Sequence, residues 1–180
     1  ENECKVNIKW IHSEELKAEN IDDKLSGLKG IVVAPGFGDR GIEGKIQAVK
    51  FARKNKVPFL GICLGMQCAV IEFSRNVLGW KDAASTEMNP KTKHPVIDLM
   101  ESQKKVKTKG GTMRLGSYPC HIEKGTKAAQ IYGRANIDER HRHRFEFNNK
   151  FLKEVEKAGM VASGKHPDLN LVEIVELKNH

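Results

Sequence analysis

The chain has 180 residues, a formal net charge of +8, 39% hydrophobic and 30% charged residues, and only 6% aromatics. That length suits a single core, since domains usually take roughly 100–200 residues, and apolar blocks alternating with charge speak against a disordered chain. No apolar run approaches the roughly 18–20 residues of a membrane span, and Glu1 opens no secretory leader pattern, so the expectation is a protein that neither spans a membrane nor is secreted.

The four cysteines, Cys4, Cys63, Cys68 and Cys120, show neither a Cys-x-x-Cys pair nor a disulfide rhythm. That usage fits a reducing compartment, the cytoplasm, and lacks the spacing of a structural zinc site, so no metal is expected. The basic surplus could attract phosphate-rich partners. Its cations are interspersed with acids, however, and few aromatics are available to stack on bases, which makes nucleic-acid binding the weakest reading.

Along the chain, Cys4 to Ile11 (CKVNIKWI) alternates apolar and polar residues and predicts a half-buried strand. Ser13 then offers an N-cap to a charge-rich helix over Glu14 to Asn20. The apolar run 30–34 (GIVVA) predicts a strand buried on both faces. A glycine loop, Pro35-Gly36-Phe37-Gly38-Asp39-Arg40-Gly41, follows it, and Ile42, Ile46, Val49 and Phe51-Ala52 recur at helical spacing to about Lys54. Pro58 opens a second buried run, Phe59-Leu60-Gly61-Ile62, which reaches Cys63 and passes into a helix over 65–73. Strand, loop, helix, strand, helix is the order of a parallel α/β sheet.

Beyond residue 80, Pro90, Pro95, Gly110-Gly111, Gly116 and Pro119 punctuate short strands at 93–99, 112–115 and 120–123, an antiparallel excursion. The run Lys104-Lys105-Val106-Lys107-Thr108-Lys109 reads as a solvated loop. A helix over Phe151 to Ala158 ends at Gly159, and strands follow at 160–164 and 171–177. No internal repeat occurs. The fold expected is therefore α/β, a doubly wound, mostly parallel sheet flanked by helices, in one domain over residues 1–180. Both ends read as cut: the sheet begins without a hydrophobic first strand and helix, and the chain stops directly after a strong strand.

The chemistry concentrates at Gly61-Ile62-Cys63-Leu64-Gly65, which has the form of a nucleophile elbow. A buried strand turns sharply into a helix, the central side chain is exposed, and flanking glycines permit the close approach. A thiol at a helix N-terminus meets unpaired N–H groups and the positive end of the dipole, which favour the reactive thiolate. The same segment also suits a small buried cysteine. Cys68, Cys4 and Cys120 read as core filler. The loop Gly36-Phe37-Gly38 follows a parallel strand and can stand beside the elbow. Pro35 has no N–H, so Gly36 is the oxyanion donor to name, together with Leu64. Such donors typically contribute a factor of about 100–1,000 each.

Gly61-Ile62-Cys63-Leu64-Gly65-Met66-Gln67 resembles the nucleophile motif of the class I (triad) glutamine amidotransferases. Three further stretches resemble the amidotransferase domains of the CTP synthase family: Val70 to Trp80 (VIEFSRNVLGW), Gly110 to Gly116 (GGTMRLG) and Glu139 to Glu146 (ERHRHRFE). The resemblance runs from about Ile8 to His180. It implies a glutaminase that hydrolyses L-glutamine through a Cys63 thioester. The ammonia would pass to a synthetase domain, absent from these residues, that uses ATP and Mg2+ to convert UTP to CTP. By motif position, Gly36 and Leu64 are the oxyanion donors. Glutamine is held by Gly36, Leu64, Gly65, Met66, Gln67, Glu87 and Arg144. The charges agree, since Glu87 can accept from an α-ammonium and Arg144 can bind an α-carboxylate. The family implies no cofactor in this domain, a homotetrameric full enzyme, and a monomeric state for this part by itself.

The family's catalytic His and Glu lie in a His-Pro-Glu motif a short way beyond His180, which matches an earlier, non-catalytic histidine; His141 and His143 fall outside the triad. Two other readings stand beside this one: another class I amidotransferase or γ-glutamyl cysteine hydrolase, and a non-catalytic interaction domain. With no histidine assigned to Cys63, the 180 residues alone are expected to hydrolyse glutamine negligibly. Ammonia release in the steady state checks this, and turnover in the ordinary enzymatic range of about 1–1,000 s⁻¹ would contradict it.

Overall fold

A computed structural model describes residues 3–100 and 113–180. The two apolar runs become short parallel strands, β1 (Ile31–Val33) and β2 (Phe59–Gly61), in register from Ile31 opposite Phe59 to Val33 opposite Gly61. Helix α2 (Ile42–Asn55) connects them, and α3 (Leu64–Asn76) leaves β2. Both helices lay their apolar stripes, with Ile46, Val49, Val70 and Ile71, into one core with Ile31 and Val33. The pair differs from the expected doubly buried strands, because Val32 is 63% and Leu60 57% exposed. Only one face of it is covered among the described residues.

Strands β3 (Ala84–Ser85) and β4 (Pro95–Leu99) pair in parallel, and β4 continues antiparallel to β7 (Phe145–Phe147). An antiparallel sheet, in the order β6-β5-β8-β9, holds β5 (Arg114–Ile122), β6 (Asn136–His143), β8 (Met160–Lys165) and β9 (Val172–Leu177). The class is α/β as expected, and among the described residues antiparallel pairing outweighs parallel pairing. The strands read at 112–115 and 120–123 are one strand from Arg114 onward. Gly116 takes φ +113°, and Pro119 lies where β6 pairs but β8 does not, so its missing N–H breaks no ladder on that edge. The Lys104–Lys109 run and Gly110-Gly111-Thr112 lie outside the described residues.

Two expectations near the start fail. Cys4 to Ile11 forms no strand. Val6, Ile8 and Trp10 are exposed, and alternation without a partner strand leaves backbone groups to water. Cys4 is likewise exposed rather than core. The helix expected over Glu14–Asn20 is a 3-10 turn (Ser13–Glu15) followed by a separate α1 (Ile21–Leu25). Asn20 explains the break: its side chain accepts from Lys17 N–H (2.9 Å) and donates to the Glu15 carbonyl (2.9 Å), bonds that compete with helix continuation.

One helix was not legible in the weak 80–130 stretch, α4 (Lys127–Tyr132). Its signals are local: Thr126 caps it by accepting from Ala129 N–H at 3.1 Å, and Gly133 closes it at φ +65°. Helix α5 (Leu152–Lys157) ends at Gly159, φ +110°, as read. No helix among the described residues is long and apolar enough to cross a membrane.

A buried ion pair joins α2 to α3. Arg53 Nε and Nη2 each donate to Glu72, both at 2.8 Å, with the Glu72 side chain 0% exposed. Arg53→Ala strands that carboxylate in the core. It is expected to destabilise the fold by about 3 kcal/mol, in the range for breaking a buried pair, with urea denaturation as the check. A change below about 0.5 kcal/mol would show that water or another cation takes over.

Candidate active site

The elbow is built by contacts that only glycine allows. A Cβ at Gly61 would stand 2.6 Å from the carbonyl carbon of Gly65, and one at Gly65 would collide with the Val33 carbonyl oxygen. The Ile62 N–H donates to that same Val33 carbonyl (3.0 Å), which seats the turn on β1. Between the glycines, Cys63 caps α3 with φ +55° and ψ −105°, a conformation that non-glycine residues adopt only where the surroundings hold them.

The side chain of Cys63 is half-buried, and the backbone N–H groups of Leu64 and Gly36 face its sulfur, where each acts to favour the thiolate. A Cβ at Gly36 would sit 3.1 Å from Leu64 Cδ2, so the glycine loop is held close to the elbow. The thiol differs from its expected state. Burial pushes its pKa up; the N–H of Leu64 opposes, the negative charges of Glu146 and Glu87 add to the rise, and Gly36 N–H opposes it weakly. Helix-end donors are present, but desolvation outweighs them.

A cleft of about 440 Å³ opens at Cys63, and Gly36, Gln67, Glu87 and Arg144 line it with the thiol. Five of the residues read from sequence are therefore brought together. Glu87 is exposed at the rim, its N–H bonded to Ser85 Oγ (3.2 Å), and Arg144 is partly buried between β6 and β7 with Nε unpartnered. Gln67 Nε2 donates to the Phe145 carbonyl at 3.0 Å and so fastens the first turn of α3 to the segment that carries Arg144. Leu64 is buried and Gly65 packed on Val33, so both offer backbone alone. Met66 lines a neighbouring cavity of about 530 Å³ that also reaches Cys63. His180 turns its ring to the Ala52 carbonyl (3.1 Å).

Whole-chain comparison agrees with this geometry. The family model for the class I glutamine amidotransferases matches residues 1–180. The chain belongs to that family. CTP synthases of Cytophaga hutchinsonii and Flavobacterium johnsoniae are 66% and 62% identical over 99% of the chain. A solved structure, the glutaminase domain of Trypanosoma brucei CTPS with bound acivicin, superposes with a TM-score of 0.90 at 40% identity, over 98% of this chain and 69% of that one. Within the amidotransferases, then, the chain is similar to the glutaminase domain of CTP synthases. The chain spans about a third of the length of the curated relatives it matches, 33% in each of these two.

Sequence reading of this amidotransferase domain missed a buried polar cluster that reaches the cleft through His143. Arg114 on β5 pairs with Glu146 on β7 (3.2 Å) and Glu173 on β9 (2.8 Å), all nearly buried. His141 Nδ1 lies 2.7 Å from His143 Nε2 and 3.5 Å from Glu173. Burial is the main cause that lowers both histidines to about 4, and burial raises Glu146 to about 7 against the pull of Arg114. The signal available was ERHRHRFE itself, where alternation puts His141 and His143 on one face of a strand and Arg140 and Arg142 on the other. Among the described residues no histidine is hydrogen-bonded to Cys63.

Because the thiol pKa is raised, the thiolate fraction at neutral pH is small and grows with alkalinity. The alkylation rate of Cys63 by a neutral reagent is therefore expected to rise about tenfold per pH unit from pH 7 to 9. Stopped-flow labelling checks this, and a rate that levels off below pH 8 would contradict it.

Proposed function

We propose that these residues are the glutamine-hydrolysing part of an enzyme that makes CTP, with Cys63 as nucleophile. The observation that carries the reading is the convergence on one sulfur of the Gly36 and Leu64 N–H groups, within a cleft that also holds Glu87 and Arg144.

In this reading, Glu87 accepts from the α-ammonium of L-glutamine and Arg144 binds its α-carboxylate, which leaves the side-chain amide over Cys63. The thiolate attacks the amide carbon, and the carbonyl oxygen takes negative charge between the two N–H groups, already fixed before the reaction begins. The carbon–nitrogen bond breaks, the nitrogen gains a proton and leaves as ammonia, and a γ-glutamyl thioester stays on Cys63. Water then cleaves the thioester to glutamate and frees the thiol. Proton transfer at both steps needs a base close to the sulfur, and the raised thiol pKa makes that need larger. His141 and His143 are engaged with each other and with Glu173 and Glu146, which is why the 180 residues alone should turn over slowly.

The ammonia would serve a synthetase domain that uses ATP and Mg2+ to activate UTP, within a cytoplasmic homotetramer. No cofactor is assigned to this domain's own reaction, and the domain over residues 1–180 would be monomeric by itself. The site should also take acivicin, the compound bound in the trypanosomal relative.

Calorimetry on a Cys63→Ser chain separates binding from chemistry. Arg144→Ala is expected to weaken L-glutamine binding at least about tenfold, the loss of a charged hydrogen-bond partner, and Glu87→Gln is expected to weaken it to a smaller degree. Unchanged affinity in the Arg144 variant would overturn the reading.

A further inference from the structure

We propose that His141, His143 and Glu173 form a three-ligand site for one divalent transition-metal ion of the zinc type, with the fourth position open to water. The donor atoms converge. One ligand atom from each of His141, His143 and Glu173 can lie within 4.8 Å of the others, and His141 Nδ1 stands 2.7 Å from His143 Nε2 and 3.5 Å from Glu173 Oε2. A tetrahedral ion with bonds of about 2.0–2.1 Å holds its ligands roughly 3.3 Å apart. The two imidazoles would part by about half an ångström to admit it.

The protonation pattern favours a cation there. His143 Nδ1 faces only acceptors, the Phe145 carbonyl and Glu146 Oε1, each at 3.3 Å, so Nδ1 carries the hydrogen. Its Nε2 is then a lone pair aimed at His141 Nδ1. A ring nitrogen that donates to a carbonyl or carboxylate while the other ligates is the usual support of a metal-bound histidine. Without an ion, the two facing ring nitrogens share one proton.

Charge is the second, independent observation. Glu146 and Glu173 are 4% and 3% exposed, and one guanidinium, Arg114, serves both. Two buried carboxylates facing one guanidinium make an acid-rich pocket that favours a further cation. Arg114 approaches Glu173 through Oε1, whereas Oε2 is the oxygen nearest His141. An ion bound by Oε2 and the two imidazoles would supply that cation without displacing the guanidinium. Two imidazoles beside one carboxylate suit zinc and cobalt better than magnesium, which prefers oxygen ligands throughout. The cysteine spacing gave no hint of this, because no cysteine takes part.

The test is uptake of Zn2+ or Co2+ by the purified protein in a Cys63→Ser background, followed by gel filtration and elemental analysis. About one ion per chain is expected, with the absorption of tetrahedral Co2+. His141→Ala, His143→Ala and Glu173→Gln should each weaken uptake by about 10–100-fold or more, and His121→Ala, at an exposed position, should leave it unchanged. Thermal melting of the parent protein gives a reading that no variant's folding can obscure: the midpoint should rise with Zn2+ concentration. No uptake, uptake that survives all three substitutions, or a site that vanishes with Cys63 would overturn the proposal.

Discussion

Where α3 begins, its backbone rests on the carbonyl of Val33 with no room for a side chain at Gly65, and little at Gly61. The rest of the site depends on that close approach. It fixes β1, β2 and α3 as one unit, forces Cys63 to positive φ, and turns the thiol out of the core toward the N–H groups of Leu64 and Gly36. A larger residue at either glycine would separate helix from strand and move the sulfur from its donors. The strain at Cys63 is held by contacts several residues away, chiefly the burial of Val70, Ile71 and Cys68 on the inner face of α3.

Two polar ties carry the constraint outward. Arg53 and Glu72 lock α3 to α2, and Gln67 bonds the backbone of Phe145, next to Arg144. The second tie relates the thiol to the cation proposed to hold the glutamine carboxylate, although the two come from sequence positions far apart. The electrostatics of the cleft then oppose each other. Backbone donors favour a thiolate, while burial and the carboxylates of Glu87 and Glu146 disfavour it and prevail. In the proposed reading, such a site has fixed stabilisation for an oxyanion but holds its nucleophile protonated until a base assists.

Much of this was legible in the chain. The Gly-x-Cys-x-Gly spacing carries its own steric reason, and β1, α2, β2 and α3 followed from apolar runs and helical period. What failed did so where local pattern lacked a tertiary partner. Cys4–Ile11 alternates like a strand but pairs with nothing among the described residues, and Asn20 ended a helix through bonds that no periodicity encodes. The expected depression of the thiol pKa came from the helix end alone; the degree of burial and the position of Glu146 are properties of the folded chain. Likewise Arg114, Glu146, Glu173 and the two histidines lie on four different strands, so their cluster exists only after the sheets assemble.

The most direct test of the central claim is intact-mass and peptide analysis after brief treatment with an electrophilic glutamine analogue. A single adduct is expected on Cys63, slowed by added L-glutamine, with Cys68 and Cys120 unmodified in the core and exposed Cys4 untouched at low reagent. Labelling that goes first to Cys4, or that glutamine does not slow, would contradict the assignment of Cys63 as the glutaminase nucleophile.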